Sequence, residues 1–420
     1  MNTTPHNPAL TSISDEQRVF SGYSHASLWF SLGVGLLVMQ VGAYLVPAVG
    51  TRDALLAIVI GSTVGAGLLA WTAKIGCDSG LSSAGLMHSV YGSAFARLPV
   101  LLNIVQLVGW TTFELVVMRE GTQAIVGQVM GRELSPLLAT LLWGAVLTLL
   151  MTGSMLTLVR QFVSRIGLPL VILSLLWLSW HFVGVAQQQG LQALLDRPGQ
   201  GGMGMLSAID LVMAMPVSWL PLVADYARHG RSGASTLRGT WIGYAIANVW
   251  CYALGVLVAS VSAPGTELVT ALLLAQGGLL ALSLILLDEL DNAYGDVYSG
   301  AVSSQSLLPQ WSVRRWGVRI ALLCTALACV LPMHSLEPFL LMLSSVFVPL
   351  YGVILGRLGF GQGAITTARA VDWPSALVWL LGIVCFHACA QWAPQWGSAL
   401  PSLALTFALA WLTQGRASAK

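Results

Sequence analysis

Across its 420 residues the chain is 56% hydrophobic and only 9% charged, with a net charge of +2, where ordinary soluble domains are roughly 25% charged. So little polar surface excludes a soluble fold of this length and describes a bundle of helices facing lipid. The near-neutral balance gives no reason to expect a nucleic-acid partner.

The first two dozen residues, among them Asp15, Glu16 and Arg18, are polar. They lack the charged, apolar and cleavage regions of a removable signal, so the N-terminus reads as cytoplasmic. Apolar runs long enough to span ~30 Å of hydrocarbon follow near 26–49, 54–76, 98–128, 135–155, 162–185, 206–228, 236–262, 268–297, 313–332, 335–356, 373–391 and 396–414. Twelve spans with both ends inside put 15 of the 19 Lys and Arg residues on the cytoplasmic side, including Lys74, Arg160, Arg165, Arg228, Arg314 and Lys420. Arg52, Arg119, Arg132 and Arg197 stay outside. That asymmetry is the one basic residues impose on membrane topology.

The long extramembrane stretch at 186–205 divides the first ten spans into five and five. Two inverted five-helix repeats, with substrate held at discontinuous helices, are a common plan of secondary transporters. The expected fold is therefore an all-α integral membrane protein of the cell inner membrane, present as a monomer. It has a cytoplasmic tail at 1–25, a first repeat at 26–185, an extracytoplasmic linker at 186–205 and a second repeat at 206–359. Two further helices at 373–414 and a cytoplasmic tail at 415–420 complete it.

The informative residues are polar groups at membrane depth, each of which needs a partner or a watery cavity. In the first run, Gly33, Gly35, Gly42, Gly50 and Pro47 allow a break near Gln40–Gly42, whose freed carbonyls can face a cation or a substrate. Close helix packing is the other use of such glycines. In the third run, Gln106, Trp110 and Glu114 recur at i, i+4 and i+8 and share a face. An aromatic ring beside a carboxylate suits a flat polar heterocycle, which stacks on one and hydrogen-bonds the other. A packing tryptophan and a structural glutamate are the plainer alternative, at the cost of an unpaired buried carboxylate.

In the sixth run, Pro216 and Pro221 each remove a backbone donor and free carbonyls near Ser218 and Trp219. Asp225 and Arg228 read as an ion pair closing that helix. The eighth run is the most polar, LLDELDNAYGDVYSG. Asp288, Asn292 and Asp296 repeat every four residues, Asp291 flanks their stripe, and Glu289 points roughly 100° from Asp288. These acids cannot face lipid, so the cytoplasmic half of this helix is expected to line a watery cavity.

Other chemistries fit less well. Asp288 and Asp291 form the DxxD spacing of intramembrane prenyltransferases, but the second acidic cluster such enzymes need is missing, which argues against an enzyme. No ring of repeated charges suggests a channel, and no long cytoplasmic segment suggests a receptor. Of the six cysteines, five lie in apolar runs and none forms a CxxC pair, so no disulfide framework is expected. Cys385, His387 and Cys389 share a helical stretch that reads as packing rather than metal binding.

Several of these segments resemble the nucleobase:cation symporter family, the cytosine- and hydantoin-permease group. They are the Gly-rich first helix, Gly109–Trp110, ADYARHGR at the end of the sixth helix, and Asp291-Asn292-Ala293 in the eighth. The resemblance implies two inverted five-helix repeats plus two helices, and uptake of a small ring compound coupled to a cation. It implies that Trp110 stacks on the ring and that Glu114 stands where the hydantoin branch has a substrate-binding glutamine. The family's second stacking aromatic falls at Pro216, one turn before Trp219. Substrate contacts are thus expected from Gln40, Gln106, Trp110, Glu114, Ser218, Trp219 and Asn292. The family's sodium site implies carbonyls around Gly33 and Leu37 together with two hydroxyls, which align here with Asp288 and Glu289. With Asp291 these carboxylates form the expected coupling site, for Na⁺ or, if they titrate, H⁺; no other cofactor is expected. The sixth and eighth helices are most similar to the branch proposed to carry hydroxymethylpyrimidine, a thiamine precursor. Its aminopyrimidine edge can pair with Glu114 in two-point fashion. Cytosine offers a similar edge, so cytosine or another nucleobase or hydantoin remains the alternative.

Overall fold

A computed structural model of the chain describes residues 7–153, 166–263, 265–331, 333, 336–361 and 369–417. Arg160, Arg165 and Lys420, used in the topology argument, lie outside the described residues, as do the end of the fourth expected run and the start of the fifth.

In chain order the helices are α1 (Gly22–Ser31) and α2 (Leu36–Val49), α3 (Thr51–Ser79), a short α4 (Ser83–Tyr91), α5 (Arg97–Met130) and α6 (Pro136–Leu150). There follow α7 (Leu168–Gln189), a short α8 (Leu191–Leu195), α9 (Met205–Ser218), α10 (Leu220–Ala227), α11 (Gly233–Val261), a short α12 (Leu268–Leu274) and α13 (Gly278–Leu307). Last come α14 (Val313–Val330), α15 (Leu336–Leu358), α16 (Trp373–Trp392) and α17 (Ala399–Ala417). Among the described residues, seven spans are long and apolar enough to cross a membrane by themselves, α9 and α10 counting as one; the bent pair α1–α2 makes an eighth. The chain is a multi-pass membrane protein. α6 and the apolar part of α17 are shorter. α13 and α14 have the length but carry charge: four acids in the first, Arg314, Arg315 and Arg319 in the second.

Two expectations about these helices change. The eighth apolar run is not one helix. Residues 268–274 form the separate α12, Gly277 adopts a positive φ of 71°, and α13 runs on to Leu307. Asp288–Asp296 therefore sit at the middle of a 30-residue helix rather than in its last half. Nor does the first run break at Gln40–Gly42, where α2 is continuous. Gly42 serves packing: a Cβ there would lie 2.2 Å from the Tyr252 carbonyl oxygen, and one on Gly255 would lie 1.9 Å from that of Met39. Glycine on both helices lets α2 and α11 touch backbone to backbone.

The segment before α1 straps one end of the bundle. Phe20 N–H donates to the His229 carbonyl (2.8 Å) and Arg231 N–H to that of Phe20 (3.0 Å). Arg18 reaches the Cys77 carbonyl at 2.6 Å, and Asn7 that of Ser306 at 2.9 Å. His229, just past α10, is pushed down to about 4 by burial and by the adjacent Arg228. It is thus neutral near pH 7, with Nδ1 3.1 Å from the Gln17 carbonyl oxygen.

Candidate functional site

Two helix interruptions build the site. Between α1 and α2 the residues Leu32-Gly33-Val34-Gly35 leave helical geometry, and the two halves bend by 61°. Backbone groups stranded at such a break must find partners, because lipid offers none. α13 supplies them. Asn292 Nδ2 donates to the Val34 carbonyl at 3.1 Å, and the Glu289 carboxylate accepts the Leu36 N–H. Asn292 Nδ2 also lies 3.4 Å from Glu289 Oε2, bracing the carboxylate. A carboxylate is well placed there, because the N-terminal end of α2 carries partial positive charge. A Cβ on Gly35 would come 3.1 Å from Glu289 Oε1, so glycine keeps this approach open. On the other side of the break, Ser31 Oγ donates to Asp288 Oδ1 at 2.7 Å and stands 3.4 Å from Asp291 Oδ2. Two carboxylates thus gather at the C-terminal end of α1, where carbonyl dipoles also favour a cation.

The second interruption is a single residue, Trp219, between α9 and α10, which otherwise continue as one span. Pro221 cannot donate a backbone hydrogen bond, which leaves carbonyls of the preceding turn free. α5 answers with amides. Gln106 Nε2 donates to the Ser218 carbonyl (3.3 Å) and to Asn103 Oδ1 (2.9 Å). Asn103 Nδ2 donates to the Pro221 carbonyl (3.0 Å) and to Ser303 Oγ (3.1 Å).

Between the two breaks lies a cavity of about 30 Å³, which must widen to admit a ring compound. Its walls come from α2, α5, the α9–α10 junction and α13, and its polar lining is Glu114, Ser218, Glu289, Asn292 and Asp296. Trp110 and Trp219 supply aromatic wall, with Leu32, Gly35, Leu37, Val38 and Met215 completing it. Trp110 is held edge-on by Phe339 of α15, ring centroids 5.1 Å apart. A Cβ at Gly109 would meet that phenylalanine at 2.9 Å, so the small residue before the tryptophan lets Phe339 in. Trp219 packs edge-on against Trp29 at 5.9 Å. Glu114 is 3% exposed, and its Oε2 has no hydrogen-bond partner among the described residues.

Of the residues expected at the substrate, Trp110, Glu114, Ser218, Trp219 and Asn292 come together at this cavity. Gln106 does not line it; both its hydrogen bonds serve the second break. Gln40 does not line it either, and faces a separate cavity with Tyr44, Leu211 and Glu337. Of the expected coupling residues, Glu289 and Leu37 line the central cavity, while Asp288 and Asp291 meet at Ser31 behind it. Gly33 lies in the α1–α2 break, packed against Ala247 and Tyr244. Asp225 and Arg228 are close enough for their charges to attract, and Asp225 Oδ1 also accepts the Ser83 N–H at 3.0 Å, at the start of α4. Asp296 was visible in the four-residue stripe of acids yet not assigned to the site. Ser31 and Asn103 had no signal, because a lone serine or asparagine in an apolar run carries no pattern.

Compared with known proteins, residues 12–413 match the profile of the family described as permease for cytosine/purines, uracil, thiamine, allantoin. A search of curated protein sequences finds no match. Among solved structures the chain is similar to Mhp1, a nucleobase-cation-symport-1 family transporter, in a closed conformation with bromovinylhydantoin bound. There the TM-score is 0.81 at 15% identity, covering 98% of this chain and 95% of that one. The inward-facing conformation of Mhp1 gives 0.77 at 16% identity, covering 98% and 93%. A Na⁺-coupled sialic acid symporter in a substrate-bound outward-open state gives 0.67 at 11%, covering 96% and 91%. At these identities the likeness is one of fold.

Proposed function

This chain belongs to the permease family for cytosine/purines, uracil, thiamine and allantoin, and from that premise we propose that it imports a pyrimidine-type ring, hydroxymethylpyrimidine first, by cation-coupled alternating access. The observation that carries this is the cavity where two helix interruptions meet, with the Trp110 ring beside the buried Glu114 carboxylate. A flat aminopyrimidine stacks on the indole and offers N–H groups to the carboxylate. Asp288 and Asp291, gathered on Ser31 at the end of α1, and Glu289 at the start of α2 are the proposed coupling groups, for Na⁺ or H⁺. An ion bound there would fasten α13 to both halves of the broken helix, which ties the ion to the shape of the cavity.

The proposed arrangement is twelve spans in the cell inner membrane, both ends inside, with the two repeats and domain limits given above. The interruptions at α1–α2 and α9–α10 support it, since they fall in the first helix of each proposed repeat. A monomer holds every residue of the cavity.

A thermal-shift panel of hydroxymethylpyrimidine, cytosine, uracil and hydantoin, with and without Na⁺ and across pH, tests the substrate and the ion together, because stabilisation grows with ligand concentration over Kd. Hydroxymethylpyrimidine is expected to shift the midpoint most, and Trp110→Ala to abolish the shift. No response to any pyrimidine, or an undiminished one in Trp110→Ala, overturns the reading. Cytosine is the second candidate, because it presents the same amine edge to Glu114.

A further inference from the structure

We propose that the cavity takes its ring as a cation, an amidinium-type heteroaromatic with N–H donors and delocalised positive charge, and that Asp296 reads it together with Glu114. The proposal rests on the reading of the chain as a carrier of nitrogen heterocycles and goes further, to the charge state of the cargo and a second residue that recognises it.

The hydrogen-bonding capacity left open in the cavity sets the argument. Glu289 is committed, one oxygen to the Leu36 N–H and the other to Asn292. Ser218 Oγ donates to the Met215 carbonyl at 2.7 Å. The amide nitrogen of Asn292 is committed to Val34 and Glu289, which leaves its Oδ1 without a partner. Glu114 Oε2 also has none, and Asp296, 2% exposed, accepts no side-chain hydrogen bond among the described residues. Against these open acceptors on three residues stands one open donor, Trp110 Nε1. Among the described residues no Lys, Arg or His lines the cavity, although Glu114 and Asp296 are close enough for their charges to interact.

Buried carboxylates with no basic partner need a proton, a metal ion or a cationic guest. A guest with N–H groups on its edge and positive charge in its ring satisfies both acids at once, and the faces of Trp110 and Trp219 favour the same charge. Against ionised carboxylates, a ring presenting carbonyl edges would set lone pairs against lone pairs. A neutral amine can satisfy one acid and leaves the charge of the other unanswered.

Three planar probes of one size separate these cases. They are 4-aminopyridine, which is cationic at neutral pH, aniline, its neutral amine counterpart, and 4-pyridone, which presents a carbonyl. Titration calorimetry on the purified full chain at fixed pH and Na⁺ is expected to give affinity for 4-aminopyridine at least about tenfold above either neutral probe, the scale of a charge-assisted hydrogen bond. Asp296→Asn should erase most of that preference without lowering the thermal midpoint, since it removes a buried charge at constant shape. Asp296→Glu should restore part of it. Equal binding of the three probes, or a preference that survives Asp296→Asn, overturns the inference and leaves the carrier reading in place. Tight binding of hydroxymethylpyrimidine with rejection of 4-aminopyridine does the same. Absence of binding by every probe and every pyrimidine overturns both.

Discussion

The two helix interruptions face each other across one cavity and are repaired by opposite chemistry. The α1–α2 break spans four residues, bends by 61° and is held by carboxylates and an amide from α13. The α9–α10 break spans one residue, does not divide the span and is held by the amides Asn103 and Gln106 from α5. A carboxylate changes charge when it takes up an ion or a proton, and an amide does not. The first break is therefore the one a coupling ion can work on, and the second is scaffold that keeps its shape whatever the ion does.

The largest expected effect follows from Glu289. Glu289→Ala strands the Leu36 N–H and removes the brace for Asn292, and each buried donor left unpaired costs about 1–3 kcal/mol, on top of the loss of a proposed coupling group. Uptake into proteoliposomes is expected to fall at least about 100-fold. Glu289→Gln still offers an oxygen to Leu36, so it should fold and bind a pyrimidine while losing the dependence of uptake on the Na⁺ or pH gradient. If Glu289→Gln keeps its full ion dependence, the contrast between a working break and a fixed one is wrong.

A middle-sized effect is expected at the other break. Gln106→Leu leaves the Ser218 carbonyl and Asn103 short of a partner, and each buried group orphaned in this way costs about 1–3 kcal/mol. The thermal midpoint should drop while the ion dependence of the remaining uptake stays that of the wild type. A variant of normal stability that transports without its ion would reverse the two roles.

How much of this was legible in the sequence follows the same divide. Spans are set by hydropathy over about twenty residues, which tolerates small errors. Hence α3, α5, α11 and α16 match their expected runs closely. Breaks are set by single contacts between helices distant in sequence, and these leave weaker marks. Gly33 and Gly35 looked no different from Gly42, yet only Gly35 adjoins a carboxylate of α13; Gly33 packs against Ala247 and Tyr244, and Gly42 adjoins a backbone carbonyl of α11. Pro221 marked the second break, because a missing N–H is a property of the residue itself, whereas Pro216, expected to interrupt the same run, lies inside the continuous α9. Gln106 shared a helix face with Trp110 and Glu114, and periodicity cannot say that a carbonyl from another helix already occupies its amide. Asp288–Asp296 announced a polar interior, but their depth depended on α12 being a separate helix, and the Ala275–Gly277 turn that separates it sits inside an apolar run.

Gln40 marks the edge of the working break and carries the smallest expected effect. It lies on α2 beyond the cavity-lining Leu37 and Val38, on the turn that faces Tyr44, Leu211 and Glu337 in the neighbouring cavity. None of the described residues lining that cavity belongs to the α13 contacts that hold the break. Gln40→Ala should therefore change pyrimidine affinity by less than about threefold, within the roughly 0.5 kcal/mol typical of substitutions away from specific contacts, and leave ion dependence intact. The measurement is a titration of ligand against the variant with and without Na⁺. A tenfold loss of affinity would mean that α2 rotates to bring Gln40 into the central cavity in another state of the cycle, and the site would then extend one turn further along this helix than the breaks alone define.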